Sequence, residues 1–168
     1  MMNSVKLPEY SLHSFKDEKG KARPIVMVNL LRFRERALYV DGESSLTGEQ
    51  AYRKYAKTVI PLILEVGGFP VWAGKVRSNL IAGKEEKWDQ VALIAYPSRK
   101  AFFDMHLTNA YTDCVKHRNA GLADVRLIET RAIYFPTLLV RVIGLFFRLK
   151  AYLKPRKSIK GENLDLND

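Results

Sequence analysis

An α+β domain, with helices packed on an antiparallel sheet, is what this chain of 168 residues predicts. Three observations carry that expectation. Two dense apolar runs, Pro24 to Leu31 and Trp88 to Tyr96, have the length and β-branched content of strands buried on both faces. Thr47-Gly48-Glu49-Gln50 has the form of a capping box, and apolar side chains then recur at steps of three and four. Pro97-Ser98 ends the second apolar run where Ser98 is placed to cap another helix.

Taken in order, residues 1–23 mix Pro8, Gly20 and scattered lysines without periodicity and read as an irregular arm. Asn29 interrupts the first strand. An unmade buried hydrogen bond costs roughly 1–3 kcal/mol, so its amide needs either a structural partner or a ligand at the strand's end beside Arg32. Arg32 to Leu46 reads as a loop with its turn at Asp41-Gly42. The helix opened by Thr47 presents Tyr52, Tyr55, Ala56, Val59, Ile63 and Val66 on one face. Pro61 should kink it, because the ring removes a donor and crowds the preceding turn. Gly67-Gly68 stops it.

Phe69 to about Ile81 reads as a long strand, Ala82 to Lys87 as a polar turn, and Trp88 to Tyr96 as a central strand. Ala101, Phe102, Met105 and His106 line a short helix. Asn109 opens a second segment, on which Tyr111, Cys114, Val115 and Arg118 share a face and His117 occupies a neighbouring one. Asp124 to Arg131 alternates as a half-exposed edge strand does. The order β-α-β-β-α-β over residues 24–131 is the ferredoxin-like arrangement. Strands apolar on both sides leave a sheet face that a second copy of the chain is expected to cover, giving a homodimer.

Composition narrows the function. Hydrophobic residues at 47% and charged residues at 27% exclude a disordered chain. The net charge is +10, yet half of that excess lies from Arg131 onward: residues 131–168 hold eight Lys/Arg against three acids. The near-balanced core argues against a nucleic-acid partner, and the basic end points to an anionic one. A single cysteine, Cys114, excludes an intramolecular disulfide, and Met1 to Phe15 holds no apolar stretch of signal-peptide length, so the expected location is cytoplasmic. Glycine-rich phosphate loops are absent, and Cys114 with His117 falls short of the three or four ligands a metal needs. No cofactor and no metal are expected.

The candidate catalytic group is His117 with Arg118 and Asp89: an imidazole poised near neutral pH, a carboxylate to orient it and a guanidinium to hold an enolate or carboxylate oxygen. The plainer alternative packs His117 on its helix and pairs Arg118 with Asp124 or Glu129. Asn29, Arg32, Tyr55, Trp88 and Tyr96 are the candidate ligand-binding residues, although core packing explains aromatic residues equally well.

The segment 132–154 is an apolar, amphipathic helix, and 155–168 is a basic, then acidic tail expected to be disordered. Thr137, Arg141, Gly144 and Arg148 form one narrow polar stripe, while Leu138, Ile143, Phe146 and Phe147 belong to the apolar remainder. At 18 residues, Ile133 to Lys150 is too short and too interrupted to span a bilayer. Two burials are open to it: an anionic membrane surface at the inner face of the membrane, or the parent domain and its dimer partner.

Several of these residues together resemble a bacterial family, domain of unknown function family thirteen-thirty, of the dimeric α+β barrel superfamily. They are Met27-Val28-Asn29-Leu30-Leu31-Arg32-Phe33, Tyr52 and Tyr55, Gly67-Gly68, Trp88-Asp89, Tyr96-Pro97-Ser98, Tyr111, His117-Arg118, Ala120, and Asp124 with Arg126-Leu127-Ile128. The resemblance covers about residues 24–131. It implies two sheets pairing face to face in a dimer, with a cleft between sheet and helices in each subunit. Relatives in the superfamily include cofactor-free monooxygenases, isomerases and degradative enzymes for small organic molecules. The functions expected are therefore a small-molecule-binding domain, whether or not it is also a cofactor-independent enzyme of small organic substrates, or a non-catalytic homodimeric module docked to a membrane surface or partner through its last helix.

Overall fold

The computed structural model describes residues 22–83, 86–133 and 137–153; the expected arm up to residue 21 and the tail from 154 lie outside them. Strand β1 (Ile25–Phe33) runs two residues beyond the apolar stretch that predicts it. The segment expected to be plain loop contains a small hairpin, β2 (Leu38–Tyr39) and β3 (Gly42–Glu43), turned at Gly42 with φ 116°. Two-residue strands carry no period for a sequence to display; only their turn, Asp41-Gly42, was visible.

Helix α1 (Gly48–Glu65) opens on the capping box: the Thr47 hydroxyl accepts from Gln50 N at 3.2 Å, and the Gln50 side chain accepts from Thr47 N at 2.8 Å. The helix continues through Pro61, which is exposed. It ends at Gly67, whose φ of 81° suits glycine, with Gly68 N donating back to Ile63 O at 2.8 Å. Strand β4 (Phe69–Lys75) is shorter than expected. Its register partner runs out at Gln90, and Leu80 and Ile81 beyond it stand in solvent with no strand beside them among the described residues. After β5 (Gln90–Tyr96), Ser98 caps α2 (Arg99–His106) by accepting from Ala101 N at 3.1 Å, and Thr108 caps α3 (Asn109–Gly121). Strand β6 (Leu122–Thr130) and helix α4 (Thr137–Leu153) complete the order.

The sheet is antiparallel with strand order β4-β5-β1-β6, the ferredoxin-like topology. In β1, Ile25, Met27, Asn29 and Leu31 share one face, opposite Tyr96, Ile94, Ala92 and Gln90 of β5. This face carries α1, α2 and α3, and its core joins Ile25 and Met27 to Tyr55, Val59, Ile63, Phe102 and Met105. Helices α1 and α3 touch at closest range where Gly48 meets Gly121. Gly48 N donates to Arg34 O at 3.0 Å, Arg34 N donates to Gly121 O at 2.9 Å, and a Cβ on Gly48 would run into both carbonyl oxygens. Arg99 ties α2 to β6 through a fork on Glu129, at 2.8 and 2.9 Å.

The opposite face holds Val26, Val28, Leu30, Val91, Leu93 and Ala95, flanked by Trp72 and Ile128. Helix α4 lies over one end of it. Val140, 1% exposed, packs with Phe69 and Ala95, and Val26, Leu64, Ile143 and Phe147 surround them. Of the two burials open to the last helix, packing on the parent domain accounts for this inner side. Toward the other end of the face, Trp72 and Ile128 stand about half exposed, at 54% and 48%.

Candidate functional site

A cavity of about 150 Å³ lies between the sheet and the three helices that cover it. Every layer contributes: Met27 and Asn29 from β1, Gln90, Ala92 and Ile94 from β5, Leu127 from β6, Tyr52, Tyr55 and Val59 from α1, Phe102, Met105 and His106 from α2, Tyr111 and Arg118 from α3. The volume matches one six-membered ring or a handful of waters at about 30 Å³ each.

Its polar groups are few. His106 donates Nδ1–H to the Phe102 carbonyl at 2.7 Å, since a carbonyl only accepts. That leaves Nε2, with its lone pair, as the atom this imidazole brings to the cavity. The ring is sandwiched between Phe102 and Tyr111, with centroids 4.1 and 4.2 Å away. Burial, aided by the Arg118 charge, pushes its pKa down to about 4, so the ring is neutral at physiological pH. Burial raises Tyr52 to about 12 and Tyr55, Tyr96 and Tyr111 upward as well, so these phenols stay protonated. The Arg118 guanidinium acts electrostatically on Tyr52, Tyr55, Tyr111 and His106, which places positive charge at this wall. Among the described residues that line the cavity there is no carboxylate. The Asn29 amide donates to Met27 O and Ala92 O at 3.3 and 3.5 Å, long contacts that hold it loosely.

Of the residues the sequence singles out, Asn29, Tyr55, Tyr96 and Arg118 meet at this cavity. The others do not. His117 shares the helix with Arg118 but turns toward the hairpin, where its Nδ1 and the Tyr39 hydroxyl lie 2.8 Å apart. Burial and the nearby Lys116 and Lys54 lower its pKa. Asp89 accepts from Phe33 N at 2.6 Å and closes the end of β1, in an open hollow beside Arg34, Glu49 and Lys75. Arg32 faces the other side of the sheet and pairs with Asp124 at 3.8 Å. Trp88 donates to Glu86 at 3.1 Å and lies under the Arg126 guanidinium. The expected His117–Arg118–Asp89 group is therefore not one constellation. Consecutive helical residues point about 100° apart, and on α3 that step sends His117 to the hairpin and Arg118 to the cavity. Cys114 is buried, with its thiol donating to Tyr111 O at 3.3 Å.

Sequence reasoning missed His106, Tyr111 and Gln90 as members of the site. A signal for His106 was present: it lies one turn after Phe102 and next to Met105, on the buried side of α2.

The family model described as "Domain of unknown function (DUF1330)" matches residues 37–130, more than half of the chain. The chain belongs to the DUF1330 family. A protein of unknown function from Rhodopseudomonas palustris has a solved structure 34% identical to this DUF1330 chain, with a TM-score of 0.73, covering 80% of this chain and 100% of that one. The methylated form of the same protein gives 36% identity and a TM-score of 0.72 over 79% and 97% of the two chains. A cofactor-independent oxygenase from Streptomyces nogalater is similar at 12% identity and a TM-score of 0.43, over 68% of this chain and 100% of that one, a likeness too slight to carry function. No curated protein matches.

Proposed function

We propose that this DUF1330 protein binds a small organic molecule in the cavity between sheet and helices, and that it does so as a homodimer. One observation carries the reading: an aromatic-walled space at the centre of the fold onto which a neutral imidazole acceptor and a guanidinium converge. The fitting ligand is monocyclic or a short chain. It carries a hydroxyl or N–H for His106 Nε2 and an oxygen, neutral or anionic, for Arg118. A cofactor-independent enzyme would need a base here. An imidazole held neutral down to about pH 4 is a weak one, and His117 faces Tyr39 instead, so the geometry favours holding and orienting over proton abstraction. The dimer is supported by the half-exposed apolar sheet face around Trp72 and Ile128, which a second sheet would cover.

Native mass spectrometry of the purified chain, followed by a screen of phenols and small carboxylates by ligand-observed NMR, tests the cavity. Competing binders lost on His106→Phe and on Arg118→Gln support it. Binders indifferent to both substitutions would sink it. Light scattering with Ile128→Asp tests the dimer, which is expected to fall to half its mass.

A further inference from the structure

The helix that covers one end of the open sheet face has a second side. Leu138, Val142, Leu145, Phe146, Leu149 and Leu153 are each more than half exposed, from 54% to 76%. At 3.6 residues per turn they fall within one arc of about 100°, opposite Val140. Cations border that arc. Arg141 and Arg148 lie along one margin and Lys150 along the other. Both arginines are held there from the domain side: Arg141 donates to Ala22 O at 2.9 Å, and the Arg148 stem lies against Gly67. Between Arg131 and Lys160 the sequence has eight Lys/Arg and no acid. Among the described residues no helix is long and apolar enough to cross a membrane.

We infer that α4 is a peripheral docking element whose outer apolar arc seats in the interface of an anionic bilayer, with the helix axis in the membrane plane and the arginines and Lys150 at the phosphates. An apolar centre with cationic margins is the charge pattern such a surface selects, because aliphatic stems reach down while the charges stay among headgroups. A second copy is a poorer occupant. Two such helices laid together would bring cationic margins against cationic margins, with no acid in the segment to receive them. The docked inner side makes this surface a rigid part of the domain: Val140 and Phe147 anchor it on Phe69, so seating needs no prior refolding of the helix.

The full chain is tested by co-sedimentation with vesicles of phosphatidylcholine alone and of phosphatidylcholine mixed with phosphatidylglycerol. Binding is expected to the mixed vesicles only, and to fade at high salt as the screening length shrinks from about 10 Å at 0.1 M to about 3 Å at 1 M. Each cation at an anionic surface strengthens partitioning about fivefold, so Arg148→Gln with Lys150→Gln should weaken it roughly 25-fold. Phe146→Glu should abolish it while leaving the melting temperature and circular dichroism in place, because that side chain is solvent-facing. The inference is overturned if neither vesicle binds, if both bind equally, or if Phe146→Glu lowers the solution mass of a protein that does not sediment with lipid, which would make this arc a contact between copies. Binding of phenols or carboxylates in the cavity is read separately, so either proposal can fail alone.

Discussion

Acidification from about pH 7.5 to about pH 4.5 is expected to destabilise the wild-type protein by roughly 2–3 kcal/mol more than it destabilises a His106→Phe variant. The imidazole titrates near 6.5 in an unfolded chain and at about 4 in the folded one, where burial dominates and Arg118 adds to it. Below pH 6.5 the unfolded chain therefore takes up a proton that the folded chain refuses. Stability falls as pH drops through this window and levels off once pH is below about 4, where the whole gap is worth about 3.4 kcal/mol. Above 6.5 the group contributes no slope. Phenylalanine keeps a ring between Phe102 and Tyr111 and does not titrate. Urea unfolding of both proteins at both pH values, at one protein concentration, isolates the imidazole, because the carboxylates that also titrate cancel in the difference. Equal losses in the two proteins, or a His106 ring that titrates near 6.5 by NMR, would refute the argument.

Three other outcomes test the packing. Thr47→Ala removes the acceptor for Gln50 N and should cost about 1 kcal/mol, seen as a lower melting temperature. Leu31→Ala, at a side chain only 1% exposed, should cost about 2–5 kcal/mol by urea unfolding, depending on how far the neighbours collapse. Gly144→Leu drives a Cβ into the Gly67 carbonyl and should lift α4 from the sheet, read as new protease cleavage near Arg141 with the rest of the domain intact.

The fold was readable because its elements announce themselves locally. The Thr47 capping box, the Gly67 stop and the Pro97-Ser98 junction are one-turn features whose chemistry does not depend on the rest of the molecule. Strand β4 was over-extended because Leu80 and Ile81 look like strand residues, and only the partner strand's end at Gln90 forbids it. The site was read less well for a related reason. His117 is adjacent to Arg118 in sequence, which suggests shared work, but the helix sends one to Tyr39 and the other to the cavity. His106 becomes a site residue only when the Leu107–Thr108 turn folds Tyr111 back over its ring. Pattern placed the last helix as amphipathic yet drew its stripe differently: Gly144 belongs to the docked side against Gly67, and the cations mark the boundary between two apolar sides.

The meeting of Gly48 and Gly121 has a mechanical corollary. With backbone against backbone there, and Arg34 bonded to both, α1 and α3 cannot slide past one another at that end without breaking two main-chain hydrogen bonds. The third helix on this face, α2, is eight residues long and is pinned at its first turn by Ser98 and the Arg99–Glu129 fork, so each of the three helices around the cavity is tied to its neighbours at one end by a specific contact.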